Sequence, residues 1–246
     1  MPSSLPYGMP EKIIHILSTR PVNTSLIELA KKQDINIETL SFIETTAIDT
    51  IDVQQEIETA SVQTATVVFT SMNAVVAVVN MLDGFVPDWQ IYCMGNTTRE
   101  LVIAYFGENT IAGTADNAAA LAEELIESAA ADEVFFFCGN RRRDELPDKL
   151  RDEGIDVTEI VVYETVNKHH KIDKTYDAIL FFSPSAVESF FELNTLPKQT
   201  TVFVIGKTTK QAVNTFSDNN IVVSTEPGKD QLVTAAIHYF TGKALN

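Results

Sequence analysis

The sequence predicts an α/β protein of two similar lobes, each a parallel sheet covered by helices. Short apolar runs alternate with longer segments of helical period along the whole chain, and the apolar runs are nearly continuous in Val, Ile and Phe, as in strands buried on both faces. One strand–turn–helix pattern also occurs twice. Strands are expected at Ile13–Leu17, Val67–Phe69, Gln90–Cys93, Val134–Phe137, Ala178–Phe182, Val202–Ile205 and Ile221–Val223, each bounded by turn or cap residues. Helices follow nearly every one, at Ser25–Gln33, Asn73–Leu82, Thr97–Phe106, Asn117–Ser128, Arg141–Glu153, Ser185–Leu193, Thr208–Phe216 and Asp230–Phe240.

The repeat is visible by self-comparison. Phe69-Thr-Ser-Met-Asn-Ala-Val75 aligns with Phe181-Phe-Ser-Pro-Ser-Ala-Val187 at an offset of 112, and Gly95-Asn-Thr-Thr98 with Gly206-Lys-Thr-Thr209 at 111. Asn109-Thr-Ile111 matches Asn220-Ile-Val222 at the same offset of 111, and Ile35-Asn-Ile…Glu44-Thr45 matches Ile155-Asp-Val…Glu164-Thr165 at 120. A shared order of strand, hydroxyl-rich turn and helix means one α/β unit used twice, not a short solenoid period. Residues 37–47 and 157–167 are extended and Thr/Val-rich at equivalent places in the two halves. They read either as a two-stranded connection between lobes or as strands continuing a sheet within each lobe.

Composition narrows the function. Eighteen Lys and Arg against 34 Asp and Glu give a net charge of −16, which disfavours nucleic acid and anionic membrane surfaces. The longest wholly apolar run, Ala74–Val79, is far short of a membrane span. The N-terminus lacks the basic region and long apolar stretch of a secretory signal, so a cytoplasmic location is expected. Cys93 and Cys138 sit in or at the end of apolar runs and are expected to be buried free thiols. His15, His169, His170 and His238 show no metal-ligand spacing; His169-His170 reads as a solvated connection, and a cofactor-free, metal-free monomer is expected.

The turns carry the chemistry. Thr70-Ser71-Met72-Asn73, Gly95-Asn96-Thr97-Thr98, Gly113-Thr114-Ala115-Asp116, Ser183-Pro184-Ser185 and Gly206-Lys207-Thr208-Thr209 place hydroxyls or Gly where helices should begin. Thr97…Glu100 and Ser185…Glu188 have capping-box spacing, and Pro184 suits a first helical position. Capping alone accounts for any one of them. Helix N-termini also present free N–H groups and a positive dipole end, so five such turns on two lobes suit a ligand with several carboxylates or phosphates. If Asn140 caps the following helix, Arg141, Arg142 and Arg143 occupy its first turn, where the dipole disfavours each by about 0.3–1 kcal/mol. Either Asp144, Glu145 and Asp148 screen them or an anionic partner does. Gly206-Lys207-Thr208 is not a Walker A loop, because the Gly directly ends a strand and position 201 is Thr.

In this order the motifs resemble the uroporphyrinogen-III synthase family, most specifically over Cys138–Thr165 with its Gly-Asn, Arg-Asp-x-Leu-Pro and Val-Tyr-x-Thr elements. The resemblance covers about Ile13 to Phe240. It implies two flavodoxin-like, doubly wound parallel-sheet lobes joined by a two-stranded connector, with the active site in the cleft between them. Carried over, residues 1–37 and 173–246 form one lobe, 48–162 the inserted other, and 38–47 with 163–172 the connector.

The implied reaction converts the linear tetrapyrrole hydroxymethylbilane into uroporphyrinogen III: the terminal hydroxyl leaves, the last pyrrole inverts through a spiro intermediate, and the macrocycle closes. The small-molecule partner is thus a polycarboxylate. Tyr163 is the residue the resemblance assigns to hydroxyl departure, as general acid or hydrogen-bond donor; without the resemblance it is a packing aromatic. Ser71, Thr97, Thr98, Ser183, Ser185, Thr208 and Thr209 match turn positions expected to bind carboxylates or line the cleft, with Lys207 and Arg141 as further contacts. Many relatives carry Pro-Arg or a similar pair where Met72-Asn73 stands, so the resemblance supplies no cation there. Two other readings share the architecture: a non-catalytic two-lobed binding protein for a multi-anionic molecule, and a phosphate-handling enzyme using Gly206-Lys207-Thr208.

Overall fold

The computed structural model describes residues 13–95, 97–128, 131–226 and 228–242; the amino-terminal residues read above and Asn96 lie outside them. The elements run β1 (Ile14–Ser18), α1 (Thr24–Lys31), β2 (Ile35–Thr39), β3 (Ile43–Ala47), α2 (Ile51–Ser61), β4 (Ala65–Phe69), α3 (Met72–Leu82), β5 (Trp89–Met94) and α4 (Thr97–Phe106). They continue with β6 (Ile111–Ala115), α5 (Ala118–Ser128), β7 (Glu133–Gly139), α6 (Glu145–Asp152), β8 (Asp156–Asn167), β9 (Ala178–Phe181), α7 (Pro184–Leu193), β10 (Thr201–Val204), α8 (Lys207–Phe216), β11 (Ile221–Val223) and α9 (Lys229–Thr241).

The chain divides into two compact units. One takes the chain up to Glu44 and resumes at Asn167; the other is Thr45–Val166. Among the described residues the first holds a sheet in the order β11-β10-β9-β1-β2, the flavodoxin order, with every pairing parallel. The second holds β8-β7-β4-β5-β6, again parallel, with β3 added beyond β8. Both are doubly wound, because helices cover both faces of each sheet.

Strand alternation builds those faces. In the second unit Val67, Phe69, Ile91, Cys93, Phe135 and Phe137 pack with Ile57, Val75, Val78 and Val102 of α2, α3 and α4. Val68, Tyr92, Val134, Phe136 and Cys138 face Leu121, Leu125, Leu146 and Leu150 of α5 and α6. Phe69, Trp89, Phe106 and Phe137 form an aromatic cluster with ring centroids 5.3–6.2 Å apart, and the Trp89 indole N–H donates to the Ala60 carbonyl at 2.9 Å. In the first unit Ile16, Ile35, Leu180 and Phe203 pack under α1 and α9, while Leu17, Phe181, Val202 and Val204 lie under α7 and α8. Both cysteines are buried and free, and burial pushes each thiol up to about 11.

The structure corrects the sequence reading in several places. Residues 37–47 are not one extended segment: β2 ends at Thr39, and Phe42, fully buried on Phe190 and His170, breaks the run before β3 begins. His170 is accordingly half-buried rather than solvated, although His169 is exposed and contacts Glu192. Residues 111–115 form the strand β6, so Gly113-Thr114-Ala115-Asp116 is not a helix start; a Cβ on Gly113 would lie 2.7 Å from the Tyr92 ring. Helix α2 has no counterpart among the expected elements. Helix α6 starts at Glu145, not Arg141, and Asn140 does not cap it.

In the first unit Glu38 on β2 accepts from Lys174 at 3.1 Å and from the Tyr176 phenol at 3.0 Å. These bonds, Lys174 first, hold its carboxyl below the ordinary value of 4.5. A carboxylate depressed in the folded state contributes stability above its unfolded value and loses it as pH falls through the folded one. Urea midpoints measured from neutral pH into the acid range below 4.5 are therefore expected to fall toward acid in the parent protein and less steeply in Glu38→Gln. The gap between the two should be small, because the carboxylate is partly solvated, and should close once pH falls below the lowered Glu38 value.

Candidate functional site

In a doubly wound sheet, ligands bind beyond the carboxyl ends of the two neighbouring strands whose connections leave in opposite directions. In the second unit those strands are β4 and β7. Past β4, Ser71 caps α3 from an extended backbone (φ −144°, ψ 135°), its Oγ accepting from the Asn73 N–H at 3.2 Å. Past β7 the chain reaches Gly139 and Asn140. On β8 beside them, the half-buried Tyr163 hydrogen-bonds through its phenol to the Ser71 hydroxyl. The ring lies directly over Gly139: a Cβ there would sit 2.8 Å from the phenol oxygen and closer still to Cζ. Burial raises the Tyr163 pKa above its ordinary value of 10, and the Ser71 bond only partly opposes it. At neutral pH the phenol is a proton carrier that can donate.

The remaining turns of this unit differ from one another. Thr97 is exposed and Thr98 buried in the first turn of α4. Asn117 caps α5, accepting from the Ala120 N–H at 3.0 Å. The three arginines lie in the loop before α6. Arg142 is held by Glu159 and Asp144, and Arg151 donates to the same Glu159 at 2.7 Å. Arg141 and Arg143 are exposed. The first turn of α6 instead holds Glu145 and Asp148, which complement the helix dipole, so the mismatch suspected from the sequence does not arise.

In the first unit the corresponding neighbours are β1 and β9. After β1, Thr19 donates through both its N–H (3.1 Å) and its hydroxyl (2.8 Å) to the Leu180 carbonyl, and Ser18 Oγ donates to the Arg20 carbonyl at 2.6 Å. Arg20 is exposed at the end of that turn. After β9, Ser183 caps α7 by accepting from the Ala186 N–H at 3.3 Å, with Pro184 first in the helix. Ser185 thus lies inside the first turn, half-buried, and its capping-box spacing with Glu188 is not used as a cap. Gly206 begins α8 without a side-chain cap; Lys207 and Thr208 are exposed, whereas Thr209 is 1% exposed.

Of the residues singled out from sequence, the structure brings Ser71 and Tyr163 into contact. Ser183 with Ser185, Thr97 with Thr98, and Lys207 with Thr208 and Thr209 each share a helix start. Gly139 and Asn140 were read only as a family motif and as a candidate helix cap, and Thr19 and Arg20 were not singled out. The last two were legible in principle, as a Ser-Thr-Arg turn closing an apolar strand; the role of Asn140 depends on Thr165, 25 residues away. Among the described residues no group of three or more His, Cys, Asp or Glu could hold a metal ion, and no helix is long and apolar enough to cross a membrane.

A family model described as uroporphyrinogen-III synthase HemD matches residues 24–234, most of the chain. The uroporphyrinogen-III synthase of Saccharomyces cerevisiae is 28% identical over 171 residues, 59% of this chain and 62% of the yeast protein, so the match spans less than two thirds of that relative. Two crystal structures share the fold. A mutant uroporphyrinogen III synthase from the extremely thermophilic bacterium Thermus thermophilus superposes with a TM-score of 0.65 at 12% identity, covering 92% of this chain and 98% of that one. The uroporphyrinogen-III synthetase of Helicobacter pylori 26695 gives 0.62 at 17% identity, covering 92% and 99%. The length of the family match, with the doubly wound sheets beneath it, places this chain in the uroporphyrinogen-III synthase family.

Proposed function

We propose that this chain converts hydroxymethylbilane into uroporphyrinogen III, as a cofactor-free monomer in the cytoplasm, with Tyr163 donating to the departing hydroxyl. The observation that supports this most directly is the phenol held between Gly139 and Ser71 at the switch point of the second unit. Loss of the terminal hydroxyl breaks a C–O bond and needs a proton on oxygen for water to leave. A phenol whose pKa burial raises stays protonated at neutral pH and offers that hydrogen bond. Ring inversion and closure then ask for positioning more than for further acid–base groups. Holding the reacting carbons together can supply several kcal/mol.

The substrate's carboxylates are read as engaging helix starts, through Ser71, Thr97 and Thr98 in one unit and Ser183, Ser185, Lys207 and Thr208 in the other, with Arg141 and Arg20 adding charge at turn ends. Thr98 and Thr209 are buried, so they serve by shaping their turns. Neutral N–H and hydroxyl donors suit a polyanion on a protein of net charge −16, since they add attraction at short range without requiring a basic surface.

The assay supplies freshly prepared hydroxymethylbilane, oxidises the products and separates type III from type I porphyrin. Type III is expected; type I alone at the uncatalysed rate would overturn the assignment. Tyr163→Phe is expected to lower kcat about 10- to 100-fold with KM little changed, the low end for a lost general acid because the electron-rich pyrrole assists departure. An unchanged rate removes the tyrosine from the chemistry. Gly139→Ala must displace the ring, so its loss of kcat should equal or exceed that of Tyr163→Phe in a protein that still unfolds cooperatively.

A further inference from the structure

We propose that Asn140 is the positioning residue for Tyr163: its carboxamide takes the place of the strand residue that β7 lacks and holds β8 in the register that turns the phenol onto the Ser71 side of the sheet. This rests on the reading of Tyr163 given above. Successive side chains of a strand point to opposite faces. Val157 and Val161 pack with the α5–α6 side, and Ile160 and Val162 with the side that holds α3. Strict alternation would send Tyr163 with Val161, away from Ser71. The pairing instead steps from Cys138–Val161 to Gly139–Tyr163, leaving Val162 as an extra residue, and Tyr163 packs against the same cluster as Ile160 and Val162. A one-residue bulge therefore decides which face the phenol occupies.

Such a bulge disrupts the ladder, and it persists where the displaced backbone groups find other partners. Here β7 has already ended at Gly139. The Asn140 N–H donates to the Tyr163 carbonyl at 3.1 Å. Its side-chain Oδ1 accepts from the Thr165 N–H at 2.8 Å, and Nδ2 donates to the Thr165 carbonyl at 3.4 Å. One carboxamide thus presents the acceptor and the donor that a further strand residue would have presented. Thr165 is 9% exposed, so without Asn140 its amide would lack a partner unless β8 slipped back into register and took Tyr163 to the other face.

Nuclear Overhauser contacts between the Tyr163 ring protons and the Gly139 Hα report the placement directly, with Tyr163→Phe identifying the ring signals. In Asn140→Ala the contact is expected to vanish and exchange of the Thr165 amide to accelerate at least tenfold. Should the alanine variant not fold, Asn140→Ser, whose side chain is too short to reach Thr165, is expected to give the same result. Asn140→Asp keeps the acceptor for Thr165 and should keep the contact. In the porphyrin assay Asn140→Ala should lower kcat by the same factor as Tyr163→Phe, and the double variant should be no slower than Tyr163→Phe alone. A ring contact that survives the alanine or serine change, one that disappears in Asn140→Asp, or losses of kcat that multiply would overturn the proposal. If Tyr163→Phe leaves the rate unchanged, the reading of the tyrosine fails, and the ring contact still decides the role of Asn140.

Discussion

The site in the second unit depends on the absence of one side chain. The Tyr163 ring occupies the volume in which a Cβ of residue 139 would lie, so glycine there is a condition for the phenol to reach Ser71 at all. No left-handed backbone is involved; the requirement is close approach. Gly139 also ends β7, and the same step in the chain shifts the pairing with β8. Space for the ring, the facing of the ring and the end of the strand are thereby set within three residues, Cys138 to Asn140. The adjoining Cys138 thiol, raised to about 11 by burial, is held as a neutral packing group.

Charge is managed locally in a protein that is acidic overall. Glu159, only 15% exposed, draws Arg142 and Arg151 together beside the loop that follows Asn140. A buried carboxylate is costly unless it is paired, and two guanidiniums meet that need while fixing the loop. Arg142 is thereby a structural cation. The starts of α3, α7 and α8 each carry the positive end of a helix dipole without adding to the net charge.

How much of this could be seen in the sequence depended on how far apart the interacting residues lie. Strands in which every residue is buried, such as Ala65–Phe69 and Thr201–Val204, announced themselves, and helices with a wide apolar face began within a residue or two of expectation. Helix α2 escaped because Ile57 and Ala60 sit among Gln, Glu and Thr, with one face covered and the rest in water. Strand β6 escaped because Ile-Ala-Gly-Thr-Ala looks like a turn, and its glycine is explained only by the Tyr92 ring on the next strand. The three arginines looked helical because the charge pattern runs smoothly into α6; the chain instead turns there, with the Arg142 N–H on the Gly139 carbonyl and Asn140 committed to Thr165, a contact that no local pattern encodes.

The repeat and the compact units do not coincide, and the strand orders show why. The first unit places β2-β1-β9-β10-β11 side by side, and the second places β8-β7-β4-β5-β6. Position for position, β4, β5 and β6 correspond to β9, β10 and β11, and β8 to β2, which are the pairs that the sequence offsets of 111–120 align. Each sheet therefore combines the opening strands of one repeat with the later strands of the other. Such an exchange requires the chain to leave one sheet and join the other twice, and the two passages are the stretches after β2 and along β8. There the equivalent residues Thr45 and Thr165 pair with each other, hydroxyl to hydroxyl at 3.2 Å, and the Ile48 N–H donates to the Val162 carbonyl at 2.9 Å. Residue numbers fall on β8 as they rise on β3, so the pair is antiparallel although the rest of that sheet is parallel. The position equivalent to Tyr163 in the first repeat is Ile43, on β3. At this position the duplicated fold thus carries a phenol in one copy and an aliphatic side chain in the other.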